Sequence, residues 1–86
     1  MYKIVFTSSA EKELVKLPQK DGDIIFEKIE KLAINPRPVG VKKLENKIGL
    51  WRVRIGNYRV VYSISDKQLL IEIIRIAHRK DIYRNI

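Results

Sequence analysis

The 86-residue chain is long enough for one hydrophobic core and too short for two, and with 45% hydrophobic and 33% charged residues it reads as one folded domain over 1–86. It has no cysteine and a single histidine, which excludes a disulfide framework and a thiolate metal site and argues against zinc. The net charge of +8 predicts attraction to polyanions, while no stretch approaches the roughly 20 apolar residues of a bilayer span and the opening MYKIVF is too short for a signal peptide, so a cytoplasmic protein without a membrane partner is expected.

Tyr2 to Phe6 is apolar and β-prone and reads as a first strand. Thr7-Ser8-Ser9-Ala10-Glu11 then offers a capping box, with Ser8 as N-cap and Glu11 three residues on. The helix it starts carries Ala10, Leu14 and Leu17 on one face and stops at Pro18. A second helix is expected from Asp21 to Ile34, with Ile25, Ile29, Leu32 and Ala33 as its apolar stripe, and Asn35-Pro36 ends it. The short Pro-containing connection makes the two helices an antiparallel hairpin. Residues 39–48 read as a loop.

Three strands follow, at about 50–55, 58–65 and 68–76, separated by Gly56-Asn57 and by Ser65-Asp66-Lys67. The last, LLIEIIRIA, is almost continuously apolar and so reads as a central strand covered on both faces. The order β-α-α-β-β-β gives an α+β fold, in which an N-terminal strand and a helical hairpin pack on one face of a small, mostly antiparallel four-stranded sheet.

Six of the seven arginines (Arg52, Arg54, Arg59, Arg75, Arg79 and Arg84) lie in the second half, whereas the first half carries its positive charge almost entirely as lysine. A guanidinium grips a phosphate at two points and an ammonium does not. In LWRVRIGNYRVVY, Trp51, Val53 and Ile55 alternate with Arg52 and Arg54, and Tyr58, Val60 and Tyr62 alternate with Arg59 and Val61. With the apolar set under the helices, Arg52, Arg54 and Arg59 share the open face. His78 and Arg79 arrive where the last strand emerges, and Tyr83 follows. A solvated sheet face also alternates charge, but three arginines without matching carboxylates and a fourth beside a tyrosine outline a site for a phosphate and a base.

The strings NPRPVGVKKLEN, GLWRVRIGNYRVVYSI and IRIAHRKDIYRNI strongly resemble the RelE/ParE superfamily of bacterial and archaeal toxins, over essentially the whole chain. The resemblance implies a type II toxin held inactive by a small, acidic, RelB-like antitoxin. In the RelE branch it implies an endoribonuclease that enters the A site of the 70S ribosome, cleaves messenger RNA there and inhibits translation, with no metal or other cofactor. The positions matching that branch's RNA chemistry are Arg54, Arg59, Arg79 and Tyr83 as catalytic residues, with Arg52 and His78 as substrate-binding residues. The ParE branch shares the fold and poisons DNA gyrase without a nuclease site. That is the alternative, and a non-toxic nucleic-acid-binding domain is the third reading. One departure concerns Arg52 and Arg54, since RelE-type nucleases often carry lysine there. A guanidinium is a poor general base, which leaves His78, Tyr83 and a ribosomal group as candidate proton acceptors.

Overall fold

In the computed structural model, which describes residues 1–45 and 48–80, strand β1 (Lys3–Phe6) runs directly into helix α1 (Ser8–Lys16). The N-cap is Thr7, one residue ahead of the expected Ser8. Its backbone stays extended (φ −69°, ψ 160°), and its Oγ1 accepts from Ala10 N at 3.1 Å. Thr7 takes this role because its own N–H still belongs to the sheet, donating to Ile73 O at 2.9 Å. Helix α1 ends because Leu17 precedes a proline and is held extended (φ −72°, ψ 153°).

Helix α2 (Gln19–Leu32) starts straight after Pro18, two residues earlier than expected, and buries Ile25, Ile29 and Leu32. That spacing places one side chain per turn on a single face. At about 1.5–3 kcal/mol per fully buried aliphatic side chain, the three anchor the helix to the sheet. Beyond it, Asn35 Oδ1 accepts from Arg37 N at 3.2 Å, a side-chain turn that reverses the chain ahead of the strands.

Among the described residues the sheet has five strands rather than the expected four, in the order β1-β5-β4-β3-β2. The addition is β2 (Lys42–Lys43), two residues in the segment read as loop, which pair with Arg52 and Trp51. A two-residue strand is too short to show a period of two in the sequence. Strands β3 (Leu50–Ile55), β4 (Tyr58–Ser65) and β5 (Leu70–His78) follow; β1 is parallel to β5 and every other pair is antiparallel. Strand β5 begins and ends two residues later than expected. The main core lies between the helices and this sheet, where Ile25, Ile29, Val60, Tyr62, Ile71 and Ile73 are fully buried. Among the described residues no helix is long and apolar enough to cross a membrane.

Two features position the strands. Strand β5 carries a bulge: Val61 pairs with Arg75 but the next residue, Tyr62, pairs with Ile73, which leaves Ile74 as an extra residue. Strand β1 pairs no further than Phe6 with Ile73, and beyond that point α1 serves the β5 edge. Thr7 Oγ1 donates to Ile74 O at 3.1 Å, and Glu13 accepts from Arg75 Nε at 2.9 Å and from Ile76 N at 2.8 Å. The second feature is a latch at the far end of the sheet. Arg37 donates from both terminal nitrogens to Asp66 (3.2 and 2.9 Å), Tyr2 donates its hydroxyl to the same carboxylate, and the Arg37 guanidinium lies 5.0 Å from the Trp51 ring centroid.

Tyr62 buries its ring and donates its hydroxyl to Pro36 O at 2.7 Å, and burial pushes the phenol up to about 12. Tyr62→Phe leaves the buried Pro36 carbonyl without that donor and is expected to cost about 1–3 kcal/mol in urea unfolding. Arg37, and after it Tyr2, hold the Asp66 carboxyl below its ordinary value. A carboxylate with a depressed folded value stabilises fully above its unfolded value, and that stabilisation is lost as pH falls through the folded one. Asp66→Asn should therefore melt below the wild type at pH 7, with the gap closing below roughly pH 4, read by thermal denaturation in a pH series.

Candidate nucleic-acid interface

Strands β3 and β4 are joined by Gly56-Asn57, with Gly56 at φ 60° in the first central position, where a type II′ turn requires it. A two-residue turn fixes the register: Ile55 pairs with Tyr58, Arg54 with Arg59, and Arg52 with Val61. Trp51, Val53, Ile55, Tyr58, Val60 and Tyr62 face or border the helix-side core. Strand alternation then sets Arg52, Arg54 and Arg59 together on the opposite face, as the sequence predicts. Arg54 and Arg59 are direct cross-strand neighbours, a spacing at which Cβ atoms lie about 5 Å apart.

The three differ in burial. Arg54 is exposed and is steadied by donating from Nε to Gly56 O at 3.1 Å, whereas Arg52 and Arg59 are half-buried and the Arg59 Nε is buried. Beside them the same face is apolar. Val61 and Ala77 are buried there, with Leu44, Leu50 and Ile74 packed against them. A phosphate brought to these guanidinium groups thus meets charges with low-dielectric neighbours on one side, which strengthens their pull relative to open water.

The bulge in β5 decides what else joins this face. Ala77 pairs with Arg59, and the exposed Arg79, just past the end of β5, donates its N–H to Asn57 O at 2.8 Å. His78 does not join the arginines. It pairs with Tyr58 on the helix side, its ring meeting the Tyr58 ring edge-on at 5.8 Å, with Lys80 N donating to its Nδ1 at 3.3 Å. Tyr58 in turn donates its hydroxyl to Asp21 at 2.8 Å, a bond that raises its phenol above the ordinary value. Asp21, Tyr58 and His78 line a cleft of about 280 Å³ on that side. Tyr83 lies outside the described residues.

Arg75 pairs with Val61 on the arginine side of the sheet, but its guanidinium is engaged by Glu13. Glu13 gave no signal in the sequence: within SSAEKELVK it reads as one charge on a solvated helix face. Trp51, expected in the core, is half-buried at its margin between the cations of Arg37 and Lys43.

A family model described as the ParE toxin of type II toxin–antitoxin systems matches residues 4–83. The chain is 40% identical to Toxin RelE of Mycobacterium tuberculosis over 85 residues, covering 96% of this chain and 87% of that protein. Among solved structures it is similar to the RelBE2 toxin–antitoxin complex of Mycobacterium tuberculosis, with a TM-score of 0.80 and 31% identity over 91% of this chain and 98% of that one. The archaeal RelE–RelB complex of Pyrococcus horikoshii gives a TM-score of 0.79 at 31% identity, covering 91% of this chain and 94% of that one.

Facing guanidinium groups repel, so the Arg54–Arg59 pairing should cost stability that an acidic partner at position 54 recovers. Arg54→Glu loses the donor to Gly56 O, whereas the Arg54→Gln amide can keep one, so the charge is isolated by salt. The stability of Arg54→Glu relative to Arg54→Gln is expected to fall by about 0.2–1 kcal/mol from low to high salt in thermal denaturation.

Proposed function

The chain belongs to the RelE/ParE superfamily of type II toxins, on its RelE-type side, and we propose that it is a ribosome-dependent endoribonuclease that cuts messenger RNA in the A site. The observation that carries this reading is the direct opposition of Arg54 and Arg59 on the open face of the sheet, with Arg79 just past the end of the next strand. Such a pairing is costly in a sheet and useful to a phosphate.

The reaction class is internal transfer. The 2′-hydroxyl oxygen attacks the adjacent phosphorus while its proton passes to a base. The bond from phosphorus to the 5′-oxygen breaks, and that oxygen takes up a proton, leaving a 2′,3′-cyclic phosphate and a 5′-hydroxyl. Arg54 and Arg59 clamp the scissile phosphate and stabilise the charge that gathers on it, and Arg52 holds the backbone alongside. Arg79 serves the leaving oxygen, and Tyr83 stacks on or orients the base at the cut. His78, on the other side of the sheet from Arg54 and Arg59, is left out of this group. The proton acceptor is then Tyr83 or a group of the ribosome. Guanidinium groups neutralise the phosphate without a metal ion.

The cellular partner is a cognate antitoxin of the RelB type, as in the mycobacterial and archaeal complexes, and an acidic one suits a chain of charge +8. Ribosome and messenger RNA place the activity in the cytoplasm. The second reading, a gyrase inhibitor, is favoured by the family model named for ParE. A binding protein of that kind has no use for a phosphate clamp across two strands.

Primer extension on message programmed into purified ribosomes tests the proposal, comparing the wild type with Arg79→Ala and Tyr83→Ala. Cuts at the A-site codon that require ribosomes and fall roughly 100-fold or more in either variant are expected. Intact message with the wild type would sink the nuclease reading, and a supercoiling assay with gyrase would then decide for the second.

A further inference from the structure

In a regular strand, side chains alternate between faces, so the sidedness of one residue fixes that of every later one. Ile71 and Ile73 of β5 lie in the helix-side core. Regular alternation would send Arg75, Ala77 and Arg79 to that same side, and Ile76 and His78 to the arginine face. The structure has the reverse. Ile76 is buried with Ile73 in the helix-side core, Ala77 packs with Val61 on the other face, and His78 meets the Tyr58 ring edge-on. The inversion occurs at the bulge, where one extra residue enters β5 between Ile73 and Arg75.

A bulge in the body of a sheet forgoes ladder hydrogen bonds and needs other partners. Here α1 supplies them. Thr7 takes the Ile74 carbonyl, and the two oxygens of Glu13 take the Ile76 amide and the Arg75 guanidinium, so three consecutive bulge residues are held by two side chains. The Arg75 and Glu13 side chains are 18% and 26% exposed, so their pairing is sheltered from solvent, unlike an exposed ion pair.

We propose that Glu13 is a positioning residue: its carboxylate holds the β5 bulge, and the bulge selects Arg79 rather than His78 for the arginine face. The selection stands on register alone, and its effect on cleavage rests on the nuclease reading given above. Glu13 touches no substrate in this account. It acts on the phosphate site only through the strand it clasps.

The test uses the full chain as wild type, Glu13→Ala and Glu13→Gln. Proton NMR reads the register through contacts between Ala77 and Arg59 and between the rings of His78 and Tyr58, with Ile64 to Ile71, upstream of the bulge, as the control for the fold. Ribosome-dependent cleavage supplies kcat and KM. In Glu13→Ala the two downstream contacts should vanish while Ile64–Ile71 persists, and kcat should fall roughly 100-fold with KM changed less than about threefold. Glu13→Gln, whose amide oxygen still accepts from Ile76 N, should keep both contacts and most of kcat. Persistence of both downstream contacts in Glu13→Ala would overturn the proposal. So would loss of Ile64–Ile71 as well, because Glu13 would then support the whole fold, and so would lost contacts with kcat unchanged. A wild type that cleaves nothing retires the nuclease reading instead, and the NMR contacts still decide whether Glu13 sets the register.

Discussion

Strand β5 runs out of strand neighbour on one side after Ile73, and the remainder of that edge has to be satisfied by something that is not a strand. Unmet amide and carbonyl groups inside a fold cost too much to leave. The solution ties sheet and helices together at one place. Thr7 ends β1, caps α1 and takes a carbonyl of β5, and Glu13, on the same helix, takes the next amide and the arginine beside it. Helix α1 is therefore seated by polar contacts at a specified point on β5, and the apolar stripe of α2 completes the cover. Strand β5 also pairs along its other edge with β4, and β4 with β3, so this junction is continuous with the strands that carry the basic face.

The two sides of the sheet do different work. The helix side holds the larger apolar core and supplies stability. The opposite side spends some of it by opposing Arg54 and Arg59 and by setting half-buried guanidinium groups next to Val61 and Ala77. The latch of Tyr2, Arg37 and Asp66 sits at the other end of the sheet and holds the loop after α2 without touching this face.

The sequence reveals most where apolar and polar residues alternate strictly. In LWRVRI and YRVVYSI the period of two separates the faces, and the Gly-Asn turn allows only one register, so Arg52, Arg54 and Arg59 can be placed together without coordinates. Legibility fails where alternation carries no information. Strand β5 is apolar on both faces, so LIEIIRIAH does not disclose that one residue is extra, nor that His78 turns to the helix side. Lys42–Lys43 is too brief to register as a strand. The Thr7 cap was hidden because Ser8, with Glu11 three residues on, fits the capping box, and the bond from Thr7 N to Ile73 O decides between them. Glu13 shows the general limit: a carboxylate on a helix looks solvated until the strand beneath it is known.

The parallel pairing of β1 with Leu70–Ile73 has a consequence for the order in which the protein can be made. The first strand to be synthesised waits for the last before it gains a neighbour, so a nascent chain that has not yet reached Ile73 holds its N-terminal strand without a sheet. The β3–β4 ribbon alone is the kind of two-stranded piece that is marginal in water, and contacts this distant in sequence form late. A truncated product therefore cannot assemble the paired guanidinium face on a closed scaffold. Strand order thus leaves β1 without its partner until the chain extends through Ile73.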